Sequence, residues 1–333
     1  MFSNTYDLRS PTSLVMLMLV LCFSYGQNIA PTATNDSYFT PPDQELIIPA
    51  SLGVLINDAD PDGGSLFVHP VLVANPTSGT VSLGVDGSFS FDPVPDSFSP
   101  VTFQYRVCDD GNASHIVSQF NFDTPSLTSA SVGPDATSIN SNAAQAGCGI
   151  RMTTAGGSMG LDLLIPNTGG IFDFTGFEIS FDYQDQESTA DIVSGGNFRI
   201  YHISGNALGV RITVIDPDTG TSVQHTQNLG GFLPGNNNYV VTYDEVTGNI
   251  TKSVNGAITV YPGVAKAFSP LDSSLSSDVT VGQFLDGGGN VIPSLCSMSI
   301  SDKSSLCTIG TVSINSSTSI LTNRNITYRV TAN

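Results

Sequence analysis

The sequence predicts an all-β protein built from two sandwich domains. After the first 26 residues, helical periodicity is almost absent, and short runs of alternating apolar and polar residues dominate. Gly, Pro, Asn and Asp separate these runs, as they do in sandwiches and barrels. About 300 residues remain after an N-terminal leader, which exceeds one ordinary domain and favours two.

The N-terminus has the features of a secretory signal peptide at residues 1–26. Arg9 precedes an apolar run from Leu14 to Phe23, and small residues follow before Gln27. A run this short, with a basic start and a small-residue end, is typical of a cleaved leader rather than a membrane span. We therefore expect a secreted or cell-surface protein with no transmembrane helix in the mature chain.

The charge balance excludes two classes of partner. Acidic residues number 29 against 10 basic ones, which gives a formal net charge of −19. Nucleic acids and anionic membranes both require a basic face, so neither is expected to bind. Cations, neutral glycans and extracellular proteins remain as partners.

Four cysteines follow the predicted leader, namely Cys108, Cys148, Cys296 and Cys307. An even number in a secreted chain favours disulfides, and four cysteines allow three connectivities. No C-x-x-C spacing occurs, so a zinc site is not expected. The favoured alternatives join Cys148 to Cys296 or Cys296 to Cys307, and Cys108 then has no obvious local partner.

The first domain is expected at residues 30–113, with short strands typical of an immunoglobulin-like sandwich. Asp86-Gly87 lies between two of these runs and predicts a hairpin turn. The predicted strands include residues 45–48, 66–68, 79–83, 88–91 and 101–107.

An acidic loop that begins at Asn57 follows an apolar run and ends in Gly63-Gly64. Calcium takes six to eight oxygen ligands, and loops of Asp, Asn and backbone carbonyl supply them. The same residue types also form ordinary turns. We predict a calcium site here and a second one in an acidic loop of the second domain. The predicted ligands are Asn57, Asp58, Asp60 and Asp62 in the first loop, and Asp286 and Asn290 in the second.

Five motifs follow one another along the first domain. They are Val54-Leu55-Ile56-Asn57-Asp58-Ala59-Asp60-Pro61-Asp62-Gly63, Ser78-Gly79-Thr80-Val81, Asp86-Gly87-Ser88-Phe89, Phe91-Asp92-Pro93 and the run from Phe103 to Gly111. In this order they resemble the bacterial cadherin-like repeat of large surface adhesins. The resemblance covers nearly the whole domain and implies an Ig-like spacer or adhesion module, often rigidified by calcium. Only one copy is visible.

The second domain is expected at residues 120–302. It contains a strand at Phe177–Gln184, a hairpin across 204–206, and a strand, turn and strand over 239–256 that ends in Asn-Gly. This last segment is similar to the laminin-G or concanavalin A-like jelly roll, although these domains often carry a Trp that is absent here. The resemblance implies a domain that binds a glycan or a protein. Residues 303–333 are Ser/Thr-rich and are interpreted as a linker or tail.

Catalysis is not predicted. Glu178, Ser180 and Asp182 are alternate residues of one strand and therefore share a face. Glycosidases need two carboxylates about 5–10 Å apart across a cleft. Those with a sandwich fold carry them in a tight Glu-x-Asp pattern, and in this chain Ser180 stands where that pattern has its second acid. The loop Asp216-Pro217-Asp218 is interpreted as a hairpin turn, and a calcium site is the alternative.

Four tyrosines lie at strand spacing, and such residues either stack on sugars or belong to the core. They are Tyr183, Tyr201, Tyr239 and Tyr243.

Together these observations predict a non-enzymatic adhesion or binding protein outside the cell. The jelly roll would bind a glycan or an extracellular protein, and the cadherin-like module would act as a calcium-stabilised spacer. The alternative is an extracellular polysaccharide hydrolase of jelly-roll fold whose carboxylate pair is not recognised.

Overall fold

The computed structural model confirms the all-β fold class and contains two sandwiches, each with its own hydrophobic core. It describes residues 28–111, 115–122, 126–153, 160–184, 191–203, 206–285 and 294–316. The predicted signal peptide lies outside these residues, as do Asp286 and Asn290. No helix in the described ranges has the length and apolar character that crossing a bilayer would require.

The strands are numbered in chain order. Residues 28–122 contain β1 (Asp36–Thr40), β2 (Leu46–Ile48), β3 (Phe67–Ala74), β4 (Thr80–Leu83), β5 (Phe89–Asp92), β6 (Val101–Cys108) and β7 (Ile116–Phe120). Residues 126–316 contain β8 (Ala143–Ala146), β9 (Gly149–Met152), β10 (Leu163–Ile165), β11 (Phe177–Gln184), β12 (Asp191–Ser194), β13 (Phe198–Ile203), β14 (Ala207–Ile215), β15 (Ser222–Gly231), β16 (Asn236–Asp244), β17 (Asn249–Val254), β18 (Ala257–Tyr261), β19 (Val279–Val281), β20 (Ser294–Asp302) and β21 (Cys307–Ser316). Short 3-10 helices lie at Ala50–Leu52, Thr168–Gly170 and Ser273–Leu275.

The first domain packs a four-stranded sheet, in the order β1-β21-β6-β3, against a three-stranded sheet, β2-β5-β4. Strand β6 shows why these residues form a sandwich: its alternate side chains, from Val101 to Val107, are buried and the intervening ones are more exposed. The predicted hairpin at Asp86-Gly87 is present, since β4 and β5 pair antiparallel and Gly87 has a φ of +82°.

The last strand corrects the prediction of a linker or tail at residues 303–333. β21 pairs parallel with β1 and antiparallel with β6, so it is an inner strand of the first domain. Its inward side chains include Val312 and Ile314, which are buried. The second domain is therefore inserted between β6 and β21, and residues 317–333 lie outside the described ranges.

Two disulfides resolve the cysteine alternatives. Cys108 bonds Cys307, and these residues face each other in the register of β6 and β21. Cys148 bonds Cys296 within the second domain, which is the first of the two pairings that the sequence favoured. The Cys108–Cys307 bond lies where the chain leaves the first domain and where it returns, so it holds the two ends of the insertion together.

Two buried carboxylates fix the returning chain at this junction. Asp109 accepts hydrogen bonds at Oδ1 from the N–H of Leu306 (2.9 Å) and from Asn28 Nδ2 (3.0 Å). Glu245, from the second domain, accepts from the N–H and the hydroxyl of Ser305 at 2.7 and 2.8 Å. The short return segment is therefore tied to both domains.

The second domain packs a six-stranded sheet against an eight-stranded one. The six-stranded sheet has the order β10-β19-β12-β13-β14-β15. The eight-stranded sheet has the order β18-β17-β16-β11-β20-β9-β8, with β7 also paired to β20. Strand β11 alternates strictly between buried and half-buried residues, which confirms the predicted strand and the shared outward face of Glu178, Ser180 and Asp182.

Gly310 in β21 offers a test of how closely this strand fits the first domain. A Cβ at Gly310 would lie 2.6 Å from both Cε1 and Oη of Tyr105, because the tyrosine ring covers the glycine. We expect Gly310→Val to lower the free energy of unfolding of the first domain by at least about 1–3 kcal/mol, the usual cost of overpacking. Urea denaturation measures the loss. Thr311→Val, at the neighbouring half-buried position, is the control. Equal stability of the two variants would contradict this fit.

Candidate functional site

The residues of the predicted calcium loop separate in the structure. Asp58 turns inward, where its Oδ1 accepts the N–H of Thr34 at 2.7 Å and its Oδ2 accepts the Tyr105 hydroxyl at 3.3 Å. Asp60 faces its own turn and accepts the N–H groups of Asp62 (3.1 Å) and Gly64 (2.7 Å). Much of the hydrogen-bonding capacity of these carboxylates is therefore used inside the protein.

Asp36, which the sequence did not single out, joins Asp58 around Tyr105. The Tyr105 hydroxyl donates to Asp36 Oδ2 at 2.9 Å, and Asp36 Oδ1 is buried without a hydrogen-bond partner. Burial raises the pKa of Asp36 to about 7, and the neighbouring Asp58 adds to the rise while the Tyr105 hydrogen bond opposes it. Burial likewise raises the pKa of Asp58 to about 6.

A calcium ion at this loop stays a prediction. Asn57 has both polar side-chain atoms buried, and the remaining predicted ligands use oxygens for backbone N–H groups. The described part of the chain contains no group of three or more His, Cys, Asp or Glu residues placed to hold a metal. Asp286 and Asn290, the second predicted pair, lie outside the described residues.

The Asp216-Pro217-Asp218 loop fits the hairpin-turn interpretation. Asp216 Oδ1 accepts the N–H groups of Asp218 and Thr219, which closes the turn. Lys266 Nζ lies 2.7 Å from Asp216 and 2.9 Å from Asp218, so a lysine occupies the place between the two carboxylates.

The outer face of the eight-stranded sheet carries Glu178 and Asp182, the acids weighed for catalysis. Both acids project from β11 four residues apart, and Glu178 Oε2 accepts a hydrogen bond from the Thr242 hydroxyl at 3.3 Å. Asp182 instead accepts hydrogen bonds from Asn238 Nδ2 at 2.9 Å and from the Ser297 hydroxyl at 2.7 Å. These bonds make Asp182 part of a surface network across neighbouring strands.

Of the four tyrosines for which sugar stacking and core packing were the alternatives, three belong to the core. Tyr183, Tyr239 and Tyr243 are fully buried, whereas Tyr201 is half-buried on the outer face of the six-stranded sheet. Tyr201 lies over Gly209 of β14, where a Cβ would be 3.3 Å from two of its ring atoms. The glycine lets the ring lie flat against the sheet.

An arginine and an aspartate hold Tyr201 in place. The guanidinium carbon of Arg199 lies 4.4 Å from the centre of the Tyr201 ring. Arg199 Nε donates to Asp191 Oδ1 at 2.7 Å, and Nη2 lies 2.5 Å from the same oxygen. Asp191 is only 4% exposed, so this ion pair is largely shielded from solvent and orients the guanidinium.

A row of polar side chains crosses this outer face, one from each of five neighbouring strands. Arg199 faces Arg211 across β13 and β14, and hydroxyl residues continue the row on both sides. With four strand spacings, the row is about 19 Å long, the scale of an oligosaccharide rather than a single sugar. In order across the sheet, this polar row is Thr280, Ser194, Arg199, Arg211 and Thr226.

Sequence reasoning did not select Arg199, Arg211 or Asp191 as site residues, although part of the signal was present. The hairpin predicted across residues 204–206 pairs residue 199 with residue 211, and strand alternation places both beside Tyr201 on one face. The contact with Asp191 carried no local signal, because β12 joins β13 after a register shift.

Comparisons with known proteins support the first domain most directly. Residues 28–122 match the model of the bacterial cadherin-like domain. In the structure the last part of this match, β7, pairs with β20 of the second domain, while β21 lies beside β6. No curated protein sequence matches the chain.

Solved structures similar to this chain include the CBM40 module of Ruminococcus gnavus IT-sialidase bound to α2,3-sialyllactose, with 14% identity, coverage of 45% of this chain and 90% of that one, and a TM-score of 0.32. The Caenorhabditis elegans galectin LEC-6 has 13% identity, 44% and 94% coverage, and a TM-score of 0.26. The CBM2 module of the Lactobacillus casei BL23 phage J-1 evolved Dit has 13% identity, 56% and 94% coverage, and a TM-score of 0.32. These likenesses concern the fold alone.

Proposed function

We propose that the protein is a secreted or cell-surface adhesion protein whose second domain binds a glycan and does not cleave it. The outer face of the six-stranded sheet carries this proposal. Tyr201 and Arg199 are held there by Asp191 within a row of hydroxyl and guanidinium groups. A sugar offers hydroxyls and an apolar ring face, which such a surface of polar and aromatic groups complements.

Rigidity supports binding at this face. Arg199 is fixed by an ion pair and a ring contact, and Tyr201 rests on the backbone of Gly209. Side chains ordered before the ligand arrives lose less conformational freedom on binding, so more of the interaction energy appears as affinity.

The first domain would act as a spacer, and the protein would be located outside the cell. Its match to the bacterial cadherin-like domain and the two disulfides support both parts of the proposal, because structural disulfides persist in oxidising compartments. Calcium at the Asp58–Asp62 loop remains part of this proposal.

A glycan and matrix-protein array probed with the whole chain tests the function, with calcium and with a chelator. We expect binding to glycans, and we expect Tyr201→Ala to weaken it about tenfold, equivalent to about 1.4 kcal/mol. Phe39→Ala removes an exposed aromatic ring from the first domain and is the matched control.

Three results would count against the proposal. They are no bound glycan in either buffer, equal binding by Tyr201→Ala and the parent chain, and release of shortened products from the bound glycan. The last would favour the hydrolase alternative, and Glu178→Gln and Asp182→Asn would then show whether those acids take part.

A further inference from the structure

We propose that the polar row recognises a carboxylate-bearing glycan, with Arg211 as the residue that pairs with the carboxylate. The inference rests on the proposed glycan binding and narrows it to a chemical class. It departs from the neutral glycans that the net charge favours, because the charge on this face differs from that of the whole chain.

The arrangement of charge is the first reason. Only 10 of the residues are basic and the net charge is −19, yet Arg199 and Arg211 lie directly opposite each other on neighbouring strands. Like charges in directly opposed positions destabilise a sheet. Keeping this arginine pair on one face therefore lowers the stability of the sheet, and a role of the pair in ligand binding would explain why it is present.

Among the residues that the structure describes, only one of the two arginines has an acidic partner. Asp191 neutralises Arg199, but among the described residues no carboxylate oxygen lies within 4.0 Å of an Arg211 nitrogen. Arg211 is half-buried and lies in register between Arg199 and Thr226. The positive charge of Arg211 is therefore available to a ligand lying along the row.

The chemistry of the guanidinium group selects the ligand. It presents paired N–H donors that match the two oxygens of a carboxylate, and it is weakly hydrated compared with an ammonium group. Arg199 uses Nε and Nη2 for Asp191, which leaves its other terminal nitrogen on the side of the guanidinium away from that bond. A carboxylate at Arg211 would then have a second cation beside it.

Neighbouring groups suit a sugar acid rather than a dense polyanion. The flanking residues Ser194 and Thr226 offer hydroxyls for the hydroxyl groups of the glycan. Two guanidinium groups on a chain of net charge −19 cannot compensate the phosphates of a nucleic acid. An oligosaccharide with isolated carboxylates meets the two charges without exposing many anions to the rest of the surface.

The test uses the full chain and glycans with uronic or other acidic sugars, each paired with its carboxyl-reduced counterpart. We expect the acidic forms to bind and carboxyl reduction to weaken binding at least about tenfold. Arg211→Gln should bring the affinity for the acidic form down to that of the reduced form. Arg151→Gln removes an exposed arginine from the other sheet and should leave both affinities unchanged. Thermal melts of both variants establish that they are folded.

The outcomes separate this inference from the function on which it rests. Equal binding of acidic and reduced glycans, or an Arg211→Gln variant that still prefers the acidic form, would overturn the inference and leave glycan binding in place. Absence of binding to every glycan would overturn both. A loss of preference in Arg151→Gln equal to that in Arg211→Gln would assign the effect to overall charge and also overturn the inference.

Discussion

A chain that ends at residue 306 is expected to lose the fold of the first domain and to keep that of the second. β21 lies between β1 and β6, so its removal also detaches β1 from the four-stranded sheet. The buried side chains of Val312 and Ile314 go with it. Each such side chain contributes about 1.5–3 kcal/mol by burial, against a net stability of about 5–15 kcal/mol for a whole domain.

Hydrogen exchange measured by mass spectrometry reports the two domains separately. In the shortened chain, amides of β3, β5 and β6 should exchange at rates near those of an unfolded peptide, while those of β11 and β16 stay protected. A chain that ends at residue 316 keeps the described strand and is the control. Protection of β6 in both chains would show that the first domain does not need β21.

The insertion has a consequence for how the proposed binding face is presented. A domain attached by one linker usually moves relative to its neighbour, whereas this one is joined to the first domain by two chain segments. The Cys108–Cys307 disulfide holds those segments together, and His69 of β3 contacts Phe268 of the second domain with ring centres 4.6 Å apart. The polar row is therefore held in a defined direction relative to the first domain.

The strands that were predicted correctly are those with local signals. β11 has the predicted limits, Phe177–Gln184, because every second residue is apolar and buried. The hairpins β4–β5 and β13–β14 follow from turn residues between two alternating runs. In the two hairpins the pairing partner is the next strand along the chain, so sequence spacing determines both the strand and its neighbour.

β21 was missed because its partners are distant in sequence and its composition is polar. Cys307 lies 199 residues after Cys108, and no local pattern relates the two segments. One inward position is Gly310, where the Tyr105 ring leaves no room for a side chain. This position therefore lacks the apolar side chain by which an inward-facing strand residue is usually predicted. A Ser/Thr-rich segment with few apolar residues therefore forms an inner strand.

The side-chain directions in the acidic loop were not predicted, for a related reason. Composition showed oxygen-rich side chains but not their directions, and Asp58 turns toward the Tyr105 hydroxyl rather than toward solvent. Its companion there, Asp36, is the first residue of β1, is separated from Asp58 by β2 and a 3-10 helix, and had no motif of its own. The resulting pair of carboxylates makes the first domain sensitive to pH.

The first domain is expected to become less stable as pH rises from about 5 to 8. Folding raises the pKa of Asp36 to about 7 and that of Asp58 to about 6, above the value of about 3.9 for an unfolded aspartate. Between these limits the folded state binds more protons than the unfolded state, so the free energy of unfolding falls as pH increases. A loss of at least about 1 kcal/mol is expected, since even one pKa unit corresponds to about 1.4 kcal/mol.

Asp36→Asn separates this effect from other titrations. The amide keeps the shape of the side chain but carries no charge, so the variant should be more stable than the parent at pH 8 and should lose much of the pH dependence. His69 has the opposite effect on the pH dependence. Burial lowers its pKa in the folded state, so the unfolded state binds more protons and the contribution of His69 to the free energy of unfolding rises with pH around pH 6. Asp92→Asn removes an exposed carboxylate from β5 and controls for net charge. Urea denaturation gives the free energy of unfolding of the parent and of each variant at pH 5 and at pH 8. A parent that gains stability toward pH 8, or an Asp36→Asn variant that keeps the same slope, would show that the buried pair does not control the pH response.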